Sequence, residues 1–446
     1  AGHVLRMPTH LGKLWAETVR RAPDAVAVID GASGRAWTRA ALAREASAWR
    51  AALPEGTELT GRRVVLAEPN GIGWWRAFLG LLEAGAIPAM LDATEPPVGR
   101  RAVAEAIGAA WICAEGKLEP VAAGRLARRK DLCLIKLTSG STGTPKALVF
   151  THAQMLADGR QVCATMGIRP DDVNLAVIPL GHSYGLGNLV VPLLAQGTAM
   201  VCSASPLPHA LAADCARWQP TIFPAVPTLL RALARSEIEP RALASLRLVI
   251  SAGAALPGEL AAAFAEKFSR RVHGFYGTSE TGGIAFDRSG EATLTGRSVG
   301  TAMAGVTLKF GRGQRVVVSG AAVGGRGRFS PKDRAALNES GELVLIGRVG
   351  RLVKIAGRRL DLAEVEKALR ALVGVREAQA MAHPTKADAL AAAVVADRTA
   401  AELRAELLKR IAPWKVPDRL LVLDEFPTTA RGKLDLRRLR SLVAVG

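Results

Sequence analysis

From about residue 11 to residue 270 the chain alternates short apolar runs with longer amphipathic segments. The apolar runs fall at 26–29, 64–67, 87–91, 111–114, 132–137, 173–178, 199–202 and 246–251. Between them, 11–21, 72–84, 98–110, 153–166, 187–196 and 257–268 read as helices. After Thr38, a good N-cap, Leu42, Ala46, Trp49 and Leu53 share one helical face that Pro54 closes. Parallel strands need a crossover connection, usually a helix, so this alternation predicts parallel sheets covered by helices. The expected fold class is α/β, with a large amino-terminal domain of mainly parallel sheets. After Gly311 the rhythm changes to short strands at 315–319 and 342–346 between Gly-rich turns, a small β-rich subdomain. From Leu352 the order strand, helix, strand, strand, helix describes a small α+β domain. The expected division is 1–347 and 348–446.

One loop inside this alternation carries a strong chemical signal. Residues 137–149 read L-T-S-G-S-T-G-T-P-K-A-L-V, directly after the apolar run 132–137. Glycines let such a loop turn tightly and bring backbone N–H groups close to a ligand, and the hydroxyls add donors. Lys146 supplies one positive charge. These are the requirements for holding a polyphosphate. The spacing is not that of the common P-loop, G-x-x-x-x-G-K-[ST].

The order T-S-G-S-T-G-x-P-K resembles the phosphate loop of the adenylate-forming superfamily, which includes acyl-CoA synthetases, stand-alone adenylation domains and luciferases. The resemblance implies that Thr138, Ser139, Gly140, Ser141, Thr142, Gly143 and Lys146 hold the phosphates of ATP. The family usually has glycine after the lysine, where this chain has Ala147.

Further stretches extend the resemblance from about Leu14 to Arg440. Residues 274–283, G-F-Y-G-T-S-E-T-G-G, place an aromatic side chain between glycines and a carboxylate four residues on. An aromatic ring can stack on a purine, and a carboxylate can hold a magnesium ion that bridges phosphates. The resemblance puts Tyr276 against adenine, Ser279 near the α-phosphate and Glu280 on Mg²⁺, and counts Gly277 among the cofactor-binding residues. Asp333 and Arg348 keep the family's separation between the carboxylate for the ribose hydroxyls and its partner arginine, although Pro331 and Lys332 stand in place of Thr-Gly. Residues 347–360 resemble the hinge and swinging segment; Gly350 occupies the hinge and Gly357 the position that lets a pantetheine arm pass. Residues 427–433, P-T-T-A-R-G-K, resemble the carboxy-terminal motif whose lysine promotes adenylation, here Lys433. By the same resemblance the smaller domain is mobile.

The acid site is read from 179–187, P-L-G-H-S-Y-G-L-G. His182 matches a residue that gates the carboxylate. Ser183 stands where amino-acid-activating relatives carry an aspartate, which argues against an α-amino acid. The resemblance lines the pocket with Tyr184, Gly187, Asn188, Ala225, Ser251, Gly253, Phe275 and Gly282, a mostly small and apolar set suited to an aryl or medium acyl group. Lys433, His182 and Glu280 are the expected catalytic residues.

The implied function is AMP-forming ligation. A carboxylate attacks the α-phosphate of Mg·ATP, pyrophosphate leaves, and a thiol takes the acyl group from the adenylate. Coenzyme A is the expected thiol. A carrier-protein phosphopantetheine is the alternative, and a degenerate nucleotide-binding protein is the non-enzyme alternative. Composition narrows the remaining classes. The net charge of +19 raises nucleic acid as a partner, but the Arg and Lys residues are scattered without interleaved aromatics, so no nucleic acid is expected. Arg76 and Glu83 interrupt the best apolar stretch, so no transmembrane segment is expected. Residues 1–8 have no apolar leader region, and the five cysteines lack C-x-x-C spacing. A cytoplasmic monomer or homodimer fits these features.

Overall fold

The computed structural model describes residues 10–121, 124–138, 146–348, 352–355, 358–386, 389–429 and 432–445, without the side chains of Arg348, Leu352, Lys354, Arg358 and Arg359. The chain forms two compact units. The first comprises Ala1–Lys309, Val317–Phe329 and Asn338–Leu343; the second comprises Phe310–Val316, Ser330–Leu337 and Val344–Gly446.

Two sheets carry the first unit. The six-stranded sheet runs in the order Lys117–Pro120, Trp111–Ala114, Arg63–Ala67, Ile87–Met90, Leu132–Thr138, Lys146–Thr151. Its inner pairs are parallel and its two outermost pairs antiparallel. The nine-stranded sheet is parallel from Val26–Asp30 through Ala199–Cys202, Val173–Ala176, Ile222–Ala225 and Leu248–Ser251 to Val272–Thr278. Helix-covered parallel strands lose both faces to the core, so their residues are continuously apolar rather than alternating. Ile87–Met90, Ile222–Ala225 and Leu248–Ser251 are accordingly buried at every position.

The helices Leu11–Arg21, Ile72–Glu83 and His152–Met166 pack into a shared core with Trp74, Trp75 and Phe78. The Trp74 and Phe78 rings stack at 4.6 Å. His152–Met166 begins in a reciprocal cap: the Thr151 hydroxyl accepts from the Gln154 amide, and the Gln154 side chain accepts from the Thr151 amide.

In the second unit the strands Val375–Ala382, Leu390–Ala396 and Arg419–Leu423 form a mixed sheet. The middle strand separates two apolar faces by its period of two. Leu390, Ala392 and Val394 join the helices Leu362–Arg370 and Ala400–Leu408, while Ala391 and Ala393 meet Leu439 and Val443 of Leu436–Val445. No helix among the described residues is long and apolar enough to cross a membrane.

Candidate active site

The strand Leu132–Thr138 and the strand Lys146–Thr151 are antiparallel, with Thr138 directly opposite Lys146. This register fixes both ends of the connection between them. Ser139, Gly140, Ser141, Thr142 and Gly143 lie outside the described residues. Lys146 is exposed and Thr138 half-buried.

Tyr276 and Glu280 sit on and beyond a second antiparallel pair, Val272–Thr278 with Gly282–Phe286. Gly277 has to be glycine here, because a Cβ would lie 2.5 Å from the Gly282 carbonyl oxygen. Ser279 and Glu280 occupy the turn, which the Thr281 hydroxyl braces by accepting from the Thr278 amide at 3.3 Å. The Gly324 amide donates to the Glu280 carbonyl at 2.8 Å. One cavity of about 300 Å³ is lined by Lys146, Phe150, Glu280, Gly324 and Arg328, among others. The structure thus brings Lys146 and Glu280 together from separate strand pairs. It adds Arg328, which no sequence motif marked.

A single carboxylate with two cations is the donor set of a polyphosphate site. It fits a magnesium ion that keeps several waters and bridges one carboxylate to substrate phosphates. It does not fit a caged metal, and no cluster of three or more His, Cys, Asp or Glu ligands occurs among the described residues.

The expected acid-pocket residues come from three places. Tyr184 lies in the short helix Ser183–Gly185, which runs into a π-helical turn, Leu186–Val190, carrying Gly187 and Asn188. Such π turns are rare and occur often at functional sites. Ala225 and Ser251 are register partners on adjacent parallel strands, and Ser251 is in turn opposite Gly274. The Tyr184 hydroxyl donates to the Ile250 carbonyl at 3.2 Å, and its ring centre is 5.7 Å from that of Phe275. Asn188 Oδ1 and Ser251 Oγ are buried without a hydrogen-bond partner among the described residues. Unpaired buried polar atoms are costly, which sets both apart from the paired polar groups around them. Gly253 takes a positive φ of 87°, which the turn after Ser251 requires.

Gly187 and Gly282 both stand against Asp158. A Cβ on Gly282 would lie 2.2 Å from Asp158 Oδ1, and one on Gly187 would lie 3.2 Å from Asp158 Oδ2. The space these glycines leave is filled by the Asp158 carboxylate. Asp158 is buried beside Lys136. Burial pushes the Asp158 carboxyl above the usual range and the Lys136 ammonium below it, while their mutual attraction opposes both shifts. Lys136 falls within the run 132–137 that the sequence presents as apolar.

His182 follows a loop held by Asn70, whose side chain donates to the Ile178 carbonyl at 2.8 Å and accepts from the Leu180 amide at 2.9 Å. His182 Nε2 stands 3.8 Å from Asp92 Oδ2. Asp92 carries no motif and escaped the sequence reading.

Asp333, Arg348 and Lys433 belong to the second unit. Asp333 opens the strand Asp333–Leu337, and Arg348 ends the strand Leu343–Arg348. Lys433 is exposed at the end of a tight turn: its carbonyl accepts from the Thr429 amide at 2.7 Å, and Gly432 takes a φ of 67°. Gly350 and Gly357 lie outside the described residues.

The family model described as "AMP-binding enzyme" matches residues 15–128 and 114–320, and the model "AMP-binding enzyme C-terminal domain" matches 364–433. A feruloyl-CoA synthase from Amycolatopsis sp is 28% identical over 479 residues, spanning 95% of this chain and 97% of its own. A benzoate–CoA ligase from Thauera aromatica is 30% identical over 353 residues, spanning 70% of this chain and 66% of its own. The solved structure of ATP-bound MatB from Rhodopseudomonas palustris has the same fold, with a TM-score of 0.84 at 21% identity over 97% of this chain and 99% of that one.

Proposed function

This chain belongs to the AMP-binding enzyme family and is an AMP-forming acid–thiol ligase, and from that premise we propose that it converts an arylcarboxylic acid to its coenzyme A thioester. The observation that carries the site assignment is the cavity shared by Lys146, Glu280 and Arg328, with Lys146 the register partner of Thr138. ATP would place its phosphates there. Lys146 and Arg328 would neutralise their charge, and Glu280 would hold a magnesium ion on them. That ion would supply charge neutralisation of the departing pyrophosphate. Tyr276, half-buried on its strand, would face the adenine, and Asp333 with Arg348 would hold the ribose.

The acid carboxylate would attack the α-phosphorus. The bond to the pyrophosphate oxygen breaks, pyrophosphate leaves with that electron pair, and the acyl-adenylate remains. No protein nucleophile takes part, so the protein's contribution is positioning and charge. Lys433 would meet the charge developing on the α-phosphate and carboxylate. A thiolate would then attack the acyl carbon and release AMP, with the second unit turning at Gly350 and Gly357 passing the pantetheine arm.

Two features favour an aromatic acid. The relatives named above are an aryl- and an arylpropenoyl-CoA-forming enzyme by their names. Around Tyr184 and Phe275, the unpaired Asn188 Oδ1 and Ser251 Oγ would suit ring hydroxyls. The experiment is product analysis with ATP, Mg²⁺, free coenzyme A and a panel of benzoic, hydroxybenzoic, hydroxycinnamic and fatty acids. An aryl-CoA product supports the reading. Adenylate that accumulates without any thioester would assign the acyl group to a carrier protein, and turnover only of fatty acids would refute the aryl assignment.

A further inference from the structure

Lys136 is an unusual residue for its place. It stands in the strand that leads into the phosphate loop, paired in register with Met90 on one side and Leu148 on the other. Its side chain is 2% exposed, and that of Asp158 3%. A buried ammonium needs compensation. Here it comes from Asp158 Oδ2 at 3.9 Å and from the Phe150 ring, whose centre is 4.3 Å from Nζ. Glu280 is close enough to add a favourable charge interaction with Lys136.

Asp158 also reaches the strand that leaves the turn carrying Glu280. Its Oδ1 accepts a hydrogen bond from the Gly283 amide at 3.2 Å. Gln161 lies one turn further along the same helix face and donates from Nε2 to the Gly283 carbonyl at 2.6 Å. Both backbone groups of Gly283 are therefore held by His152–Met166. The site is tight: a Cβ on Gly283 would lie 2.3 Å from Met303 Sδ and 2.9 Å from Phe275 Cε2, so a larger residue would have to displace both side chains. Glu280 lies in the turn three residues before Gly283, which is the second residue of the strand Gly282–Phe286 that leaves that turn.

We propose that Lys136, Asp158 and Gln161 are positioning residues: Asp158 and Gln161 clamp the Gly283 backbone, Lys136 supplies the counter-charge, and the clamp sets Glu280 for the Mg·nucleotide. The inference rests on the nucleotide role proposed for Glu280. It explains why a costly buried ion pair stands at this place. A buried pair adds little net stability over apolar residues of equal size, but it can specify one arrangement.

The test uses the full chain and reads binding rather than turnover. Affinity for the magnesium complex of a non-hydrolysable ATP analogue is measured by calorimetry, with amide hydrogen exchange over 276–286 and the thermal midpoint. Lys136→Met/Asp158→Asn removes both charges and keeps an acceptor for the Gly283 amide. Lys136→Met/Asp158→Leu removes the acceptor as well. Neither leaves an uncompensated buried charge, so both are expected to fold, with the Asn variant melting close to the parent and the Leu variant, which leaves the Gly283 amide unpaired, somewhat lower. The Asn variant should bind within about threefold of the parent, while the Leu variant should bind about tenfold more weakly and exchange faster over 276–286. Gln161→Met, which alters no charge, should shift affinity and exchange in the same direction and carries the test if the double variants do not fold. Equal affinity and equal exchange for the Leu and Asn variants, or for Gln161→Met and the parent, would overturn the clamp. Failure of the parent to bind the nucleotide would refute the role of Glu280 instead, and the exchange comparison would still decide the clamp.

Discussion

At the scale of single residues, groups proposed to touch substrate differ in their expected effects from groups that hold them in place. If Lys433 has the role proposed for it, Lys433→Ala should reduce adenylate formation by about a hundredfold or more, since a charge meeting the transition state would be lost. It should leave thioester formation from synthetic acyl-adenylate within about threefold of the parent. Rapid-quench assays of each half-reaction distinguish the two, and an equal loss in both would contradict the role. A different residue sets a pH response. His152 is buried against the His10 ring at 3.6 Å and accepts from the Leu11 amide at 3.3 Å. Burial, and next the charge of His10, lower its pKa from 6.5 to about 4. Below 6.5 the unfolded chain binds a proton that the folded chain refuses until about pH 4, so stability falls as pH drops through that window. The thermal midpoint should decline from neutral pH towards pH 4, and His152→Gln should flatten the decline. An unchanged slope in the variant would remove His152 as its source.

At the scale of elements, much of the framework was legible. Leu11–Arg21, Trp111–Ala114, Ala199–Cys202 and Arg315–Ser319 have the bounds their patterns predict, and Thr38 caps its helix by accepting from the Ala41 amide at 3.1 Å. The stretch between Cys202 and Leu246 was not legible. It holds the helices Pro208–Trp218 and Pro227–Arg235 and the strand Ile222–Ala225. Each helix starts with a proline, which reads as a breaker but suits the first turn, where no backbone donor is needed. Pro224 stands inside a central parallel strand, where local propensity argues against any strand. Tertiary packing decides the outcome there. Lys146 and Glu280, which line one cavity, were marked in the sequence because each stands in a contiguous motif. Arg328, Asp92 and Asp158 were not, because each acquires its neighbours only through the fold. A lysine within the apolar run 132–137 was the one available sign of the buried pair. The sheet also has an ionic anchor: Asp172 accepts from Arg247 Nε, Thr221 Oγ1 and the Arg169 amide, each at 2.7 Å. Burial raises its pKa, but these donors, Arg247 foremost, bring it below the usual carboxylate range. Asp172→Ala should cost about 3 kcal/mol in denaturant unfolding, because it leaves Arg247 without its partner. A loss below about 1 kcal/mol would show that the network contributes little.

At the scale of the whole molecule the proposed chemistry is divided between two units. Tyr276, Glu280 and Lys146 belong to the first; Asp333 and Lys433 belong to the second. We propose that Gly350 is the hinge by which the second unit exchanges Lys433 for the pantetheine passage at Gly357. Proline fixes φ, so Gly350→Pro should slow thioester formation at least about tenfold more than adenylation. Equal slowing of both half-reactions would place the hinge elsewhere. The measurement that bears most directly on the account is pyrophosphate release from Mg·ATP by the parent protein with each acid of an aryl and aliphatic panel, with and without coenzyme A. The account predicts release that requires an acid, is fastest with an arylcarboxylate, and turns over continuously only when coenzyme A is present. Pyrophosphate release that is indifferent to every acid, or none with any of them, would contradict it.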